Sequence, residues 1–468
     1  MNIYFHIDEF NRDAVVASAL QTMAKAKGWK VVLGNRQLGL LLPKFEKYFD
    51  IVVLPKPTFF KSFFELERVP FLESNYVMLY TEQIGIMTSK DFPQLALRQM
   101  LDKEFMSGDS RCVDKVAAFC FWSNQAKRIV TDYFPDLSTR SHVVGHPRHD
   151  SHSNPILRKS EFSRNNEIGI LTRAVLLNDY FGRNPLENIF ENLNNVRRGG
   201  IVEYQNNSDG SQFISQIRGV NPKNDIFLEA IDFENMLLLI EEFRKRNYKI
   251  NLKLHPKEDP SLYRKLFGGP SPSLSIAPSN QPFANWVQGQ KFLIGPPSTS
   301  FYDAYLSGVL PISTSELNQE RKRLVSTMYE DNNQLMKYVH KPKSISELLD
   351  FVENLTEEKY MEMVESPEVL EILGEEVNFP FHTESLNKLI EIFENLHDEK
   401  RPSFKQRFGI LRFILVANLI SEIRFPYFLI KQKLFSVELL NSANFVMNTH
   451  KRKKIERLIH RLDSQPGF

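Results

Sequence analysis

Two cysteines among 468 residues, Cys112 and Cys120, are too few for a disulfide framework and lack the spacing of a zinc site. They point to a reducing compartment, and no apolar stretch after Met1 resembles a signal peptide. Glycine is also scarce, 20 residues against 37 phenylalanines, and none falls in a G-x-G-x-x-G or Walker pattern. A dinucleotide or ATP loop of the glycine-rich kind is therefore not expected. No uninterrupted run of about 20 apolar residues occurs, so a membrane-spanning helix is not expected either. The longest candidate, in the tail, is broken by Arg412, Glu422 and Arg424. Helix-turn-helix, zinc-finger and RNA-binding signatures are missing, which argues against nucleic acid as a partner.

What is present is an ordinary globular balance, 42% apolar and 25% charged, in a chain longer than one core usually holds. The net charge of +2 hides an asymmetry. Residues 401–468 hold 13 Lys/Arg against 4 Asp/Glu, whereas residues 1–400 hold 46 against 53, so the body is near −7 and the tail near +9. A basic tail rich in Phe, Leu and Ile suits an interfacial helix on an anionic membrane surface. It suits equally a helix that docks on protein.

Apolar patterning sets the organisation. "MNIYFHID", "KVVLGN", "DIVVLP" and "NYVMLYTE" read as strands, with "AVVASALQTMAKAKG" as an amphipathic helix closed by Gly28. "SRCVDKVAAF" reads as a further helix, followed by the strands "CFWSN" and "SHVVGHPRHD". The alternation restarts at "EIGILT" and continues through the helix "FLEAIDFENMLLLIEEFRKRNY" to "KINLKLHP", "LSIAPS", "KFLIG" and "VLPIS", with residues 183–224 as a loop. Two restarted alternations predict two Rossmann-like α/β domains. The expected division is residues 1–155, residues 165–345, helices over 346–400 that pack back on the body, and the basic helical tail 401–468.

In parallel sheets, ligands sit beyond the carboxyl ends of the strands. Several polar residues are predicted to fall there. His255 and Pro256 end an alternating strand, and Ser298, Thr299 and Ser300 stand between a strand and a helix. Hydroxyls at a helix start cap it, and the same position cradles phosphate. Thr172 and Arg173 follow the first strand of the second domain, in the nucleotide-loop position. In the first domain, Glu82, Gln83 and Gly85 follow a strand; a carboxylate in such a place can serve as general base or as nucleophile at a sugar carbon. "VVGHPRHD" carries His146, Arg148, His149 and Asp150. A metal reading of that segment is disfavoured because the Pro147 turn splays the side chains and no fourth ligand is apparent. Arg148 suits a cleft cation or a hinge salt bridge.

An acid at a strand end before Gly85, "HP" at 255 and 256, and a Ser/Thr cluster at 298–300 resemble, in that order, the motifs of the CMP-sugar transferases, the bacterial sialyltransferases and Kdo transferases of GT-B fold. "HIDEFNRDAVVASALQTMAKAKGWKVVLGN", "GHPRHD", "KLHPKED" and "GPPSTSFYDAYLSGVLPI" resemble segments of the Kdo-transferase-like surface carbohydrate biosynthesis proteins, over roughly residues 1–330. The resemblance implies two Rossmann-like domains facing a cleft, with a C-terminal helical extension. It implies a CMP-sugar-acid donor and a glycan or glycolipid acceptor, without metal or cofactor, at the cytoplasmic face of the membrane. Glu82 becomes the catalytic carboxylate, and His255, Pro256, Ser298, Thr299, Ser300, Thr172 and Arg173 become the CMP side. Gln83, Gly85, His146 and Arg148 become cleft or hinge positions. The chain departs from the family where two consecutive acids precede the glycine, since Gln83 follows Glu82, and where His146 replaces an Asn. Arg173 also stands where a polar Thr/Asn run is common. A CDP-glycerol or CDP-ribitol phosphotransferase, and an inactive glycan-assembly scaffold, fit the same features as alternatives.

Overall fold

A computed structural model describes residues 1–7, 10–34, 39, 42–55, 74–80, 106–107, 110–111, 114, 116–151, 167–178, 222–256, 258–267, 271–278, 281–319, 321, 334–380, 384–397 and 409–414. The chain divides into two compact units. One takes in the described residues of Met1–Gln83, Met100–Asp150 and Phe381–Phe468, the other those of Ser151–Pro380.

In the first unit, β1 (Asn2–His6), β2 (Lys30–Gly34), β3 (Ile51–Leu54), β4 (Asn75–Leu79), β7 (Val116–Phe121) and β8 (Ser141–Val143) form one parallel sheet in the order β2-β1-β3-β4-β7-β8. A separate two-stranded ribbon pairs β5 (Met106–Ser107) with β6 (Ser110–Arg111). Helix α1 (Phe10–Ala26) joins β1 to β2 and ends as expected at Gly28, whose φ of +72° favours a residue without Cβ. The central strands are buried on both faces, which is why they read as apolar runs rather than alternations. Ile3, Phe5, Ile51, Val53, Val77, Leu79, Ala118 and Cys120 supply one face, and helix α10 (Ser385–Leu396) packs on it through Leu386, Leu389, Ile390 and Phe393. Those four positions fall at i, i+3, i+4 and i+7, one stripe of a helix.

The helix expected over 110–119 is not there. Val116–Phe121 is instead the fifth strand of the sheet, and the following helix is α2 (Asn124–Tyr133), capped by Ser123. Ala117 and Ala118 favour helix in isolation, but a central strand covered on both sides accepts small and large apolar residues alike, and burial outweighs propensity.

In the second unit, β9 (Glu167–Leu171), β10 (Lys249–Lys253), β11 (Leu274–Ile276), β12 (Phe292–Gly295) and β13 (Leu310–Ser313) form an all-parallel sheet ordered β11-β10-β9-β12-β13. Counted along this unit that is 3-2-1-4-5, the Rossmann order, with its switch point between β9 and β12. Helix α3 (Pro222–Lys245) starts earlier than the expected loop boundary at 224, with proline in the first turn where no partner for its nitrogen is needed. Shorter helices α4 (Pro260–Phe267), α5 (Phe283–Val287) and α6 (Ser300–Leu306) follow β10, β11 and β12. Helices α7 (Ile345–Asn354), α8 (Glu357–Val364) and α9 (Pro367–Val377) complete the unit; Ser344, Thr356 and Ser366 cap their first turns. Two Rossmann-like α/β sheets followed by helices are thus what the alternation predicted.

The basic tail lies outside the described residues except for 409–414, which are helical. Ile410 and Phe413 are buried in the first unit, where the Phe413 ring stands 6.1, 5.3 and 5.5 Å from those of Tyr4, Phe45 and Phe49, all edge-on. Residues 409–414 of the tail therefore dock on protein. Phe413→Ala is expected to cost about 3–5 kcal/mol in denaturant unfolding, whereas Leu411→Ala, at a half-exposed position, stays within about 0.5 kcal/mol. Equal effects of the two would show that the docked turn does not support the core.

Candidate functional site

The carboxyl ends of β10, β9 and β12 stop at one level. Lys253 and Leu171 are register partners, and Ile294 pairs with Ile170, which sets Gly295 beside Leu171. A Cβ on Gly295 would lie 2.8 Å from that of Leu171, so this close approach needs glycine. Three turns therefore leave the sheet side by side: Thr172–Arg173 in the middle, His255–Pro256 on one flank and Pro296–Ser300 on the other. Strand spacing puts neighbouring turns roughly 5 Å apart at their origin. The switch point lies between the Arg173 and Ser298 turns.

Hydrogen bonds knit the first two turns together. The His255 N–H donates to Thr172 Oγ1 at 3.1 Å, and that hydroxyl donates to Glu258 Oε2 at 2.7 Å. Glu258 also accepts from the Ala174 N–H at 2.7 Å and from the Tyr263 hydroxyl at 2.6 Å. Burial raises the Glu258 carboxyl above the usual range, and the three donors oppose that rise. Glu229, from α3, accepts the N–H groups of Leu176 and Leu177 at 2.6 and 3.2 Å. Its carboxyl is pushed up to about 7 by burial, against the pull of those amides and of Arg173, with Glu258 adding to the rise. Arg173 itself is exposed at the edge, and Thr172 is buried beneath it.

The three hydroxyls of the third turn divide their work. Ser298 Oγ accepts the Ser300 N–H at 3.2 Å, so this side chain caps the turn. Thr299 is exposed and makes no side-chain cap bond, and Ser300 opens α6 half-buried. Capping therefore accounts for one hydroxyl of the three.

In the first unit, the "GHPRHD" segment surrounds Trp122. The rings of His146 and His149 stand edge-on to Trp122 at 4.7 and 5.3 Å, and the Arg148 guanidinium lies 4.9 Å from its centroid. Arg148 Nε donates to His149 Nε2 at 3.1 Å, and the Arg148 N–H donates to His146 Nδ1 at 3.1 Å. Trp122 is pinned by its own N–H on the Tyr80 carbonyl at 2.6 Å. Asp150 points elsewhere: its carboxylate accepts the Ser385 and Leu386 N–H groups at 3.2 and 2.9 Å, capping α10. Among the described residues no group of three His, Cys, Asp or Glu converges as metal ligands. Glu82, Gln83 and Gly85, and most of the 183–224 loop, lie outside the described residues.

The structure thus brings Thr172, Arg173, His255, Pro256 and the Ser298–Ser300 turn to one sheet edge, and keeps His146 and Arg148 in the other unit. Sequence reading missed Glu258, Tyr263 and Glu229. Glu258 had a signal, an acid two residues after the strand-ending "HP". Glu229 had none, since on α3 it looks like any solvated helical glutamate.

Because the Glu229 carboxyl holds its proton more tightly folded than unfolded, its contribution to stability is full below pH 4.5 and is lost as pH rises to about 7. The loss is on the order of 3 kcal/mol. Glu229→Gln is expected to remove it, so the stability of the variant relative to the parent should climb between pH 4.5 and 7 and level off above, as read by unfolding at each pH. A difference flat with pH would contradict the assignment.

No protein-family profile matches the sequence, and no curated protein matches it significantly. Solved structures similar in architecture include S. aureus MnaA bound to UDP, at 11% identity over 86% of this chain and 99% of that one, with a TM-score of 0.43. A Methanocaldococcus jannaschii UDP-GlcNAc 2-epimerase in complex with UDP-GlcNAc and UDP is 12% identical over 84% of this chain and 100% of the other, with a TM-score of 0.40. The wall teichoic acid polymerase TagF is 10% identical over 85% of this chain and 88% of the other, with a TM-score of 0.46.

Proposed function

We propose that this chain is a GT-B-type glycosyltransferase that moves a CMP-activated sugar acid, Kdo-like or sialic-acid-like, onto a cell-surface glycan or glycolipid. The observation that carries the reading is the level edge of the second sheet, where Arg173, His255 and the Ser298–Ser300 turn leave adjacent strands around a Rossmann switch point. A cation, an imidazole-bearing turn and uncommitted hydroxyl groups suit a phosphate. The order of the "HP" and Ser/Thr segments along the chain supports CMP as the carrier of that phosphate, through the resemblance to CMP-sugar transferases.

In this reaction the bond from the anomeric carbon to the CMP phosphate oxygen breaks, with its electron pair leaving on the phosphate. Arg173, His255 and the hydroxyl turn neutralise that charge where it develops. The acceptor hydroxyl bonds to the anomeric carbon and loses its proton. Glu82 takes the proton directly, or first forms a glycosyl intermediate that the acceptor then displaces. No cofactor or metal enters the scheme. The basic tail beyond the docked turn at 409–414 brings the enzyme to an anionic membrane on the cytoplasmic side, where the acceptor is assembled.

Calorimetric titration of the full chain with CMP, CMP-sugar acids, CDP-glycerol and UDP tests the reading. Selective CMP binding is expected, weakened roughly 10- to 100-fold in Arg173→Ala, the loss of one charged hydrogen bond, and weakened also in His255→Ala. Binding of CDP-glycerol without CMP would move the assignment to phosphotransfer, and binding of no nucleotide would overturn it.

A further inference from the structure

The loop that leaves β9, residues 172–178, occupies the place where a dinucleotide fold sets its glycine turn, whose backbone amides hold a pyrophosphate. Here five of those amides, of Thr172, Ala174, Leu176, Leu177 and Asn178, end inside the protein. Thr172 N–H donates to the Lys253 carbonyl at 3.2 Å and Asn178 N–H to the Ala174 carbonyl at 2.7 Å. Ala174 N–H goes to Glu258 Oε1, and the Leu176 and Leu177 N–H groups share Glu229 Oε2. Neither glutamate belongs to the loop. Glu258 reaches it from the turn after β10 and Glu229 from α3, and their exposures are 2% and 8%. Two carboxyl groups from separate elements thus fill the acceptor positions that phosphate oxygens would take. The missing glycines have the same explanation, because a loop that meets carboxyl groups on its inner side needs no bare backbone facing a ligand.

We propose that Glu258 and Glu229 are specificity-determining residues of this sheet edge: by occupying the Ala174, Leu176 and Leu177 amides of the 172–178 loop they make it favour a ligand with one phosphate over one with two. The proposal rests on the nucleotide reading of the same edge. One phosphate meets the Arg173 side chain and the Ser298–Ser300 turn across the switch point. A second phosphate, which would turn toward the loop backbone, finds acceptors instead of donors and loses the hydrogen bonds it had in water.

The test compares CMP with CDP by calorimetry on the full chain, then repeats the comparison in Glu229→Ala and Glu229→Gln. The intact protein is expected to bind CMP at least about tenfold tighter than CDP, the factor set by one missing hydrogen bond to a charged group. Glu229→Ala frees the Leu176 and Leu177 amides and should narrow the ratio, while Glu229→Gln keeps an acceptor oxygen and should preserve it. A merely structural role would lower stability in the alanine variant without moving the ratio, and that result would overturn the proposal. CDP bound as tightly as CMP by the intact protein would overturn it too, while leaving the nucleotide reading in place. This arm decides the matter even if the alanine variant fails to fold. Binding of neither nucleotide would overturn both.

Discussion

Parallel pairing is the constraint from which the rest follows. When every strand of a sheet points the same way, each strand must return by a crossover, and every strand-to-helix turn falls on one edge. Residues that are far apart in the chain, Thr172, His255 and Ser298, therefore meet without any contact between their own segments having been selected locally. The same constraint buries the central strands on both faces. Apolar runs such as "DIVVLP" in the first sheet and "KFLIG" in the second are legible as strands for that reason.

The polar side of that arrangement is a question of satisfying buried donors. A loop at a sheet edge carries backbone N–H groups that cost free energy if buried without acceptors. In the second unit that need is met by Glu258 and Glu229, and in the first by Asp150 for the start of α10, while the Tyr80 carbonyl satisfies a buried side-chain donor, the Trp122 indole N–H. The acids and histidines that drew notice as chemical groups thus serve partly as structural acceptors. Asp150 shows this plainly: it sits in a segment rich in potential ligands, and its carboxylate closes a helix that arrives from more than 200 residues away.

The tail carries a similar double meaning. Its charge and its Phe, Leu and Ile content fit a membrane surface, yet the helical residues 409–414 place Phe413 among Tyr4, Phe45 and Phe49. Both uses are compatible when an amphipathic segment anchors at one end and leaves its basic remainder elsewhere. The edge-on aromatic packing is specific to those rings, and aromatic pairs of this geometry add to the burial of their area.

Periodicity and punctuation alone specify both α/β alternations, the closing of α1 at Gly28, the acidic helices after residue 343 and the strand-end placement of His255 and Ser298, because these depend on nearest neighbours and on which residues water excludes. The misread segment 110–119 marks the limit of such reasoning. Ala-rich Val116–Phe121 becomes a strand only because flanking strands and covering helices bury both its faces. Strand order, and with it the switch point between β9 and β12, was likewise undetermined along the chain, since pairing partners lie up to some 125 residues apart. The roles of Glu229, Glu258 and Tyr263 depend on distance in space and on burial, which raises a carboxyl that would be ordinary on an exposed helix. Those are properties of the packed molecule, decided when separate elements close around the same loop.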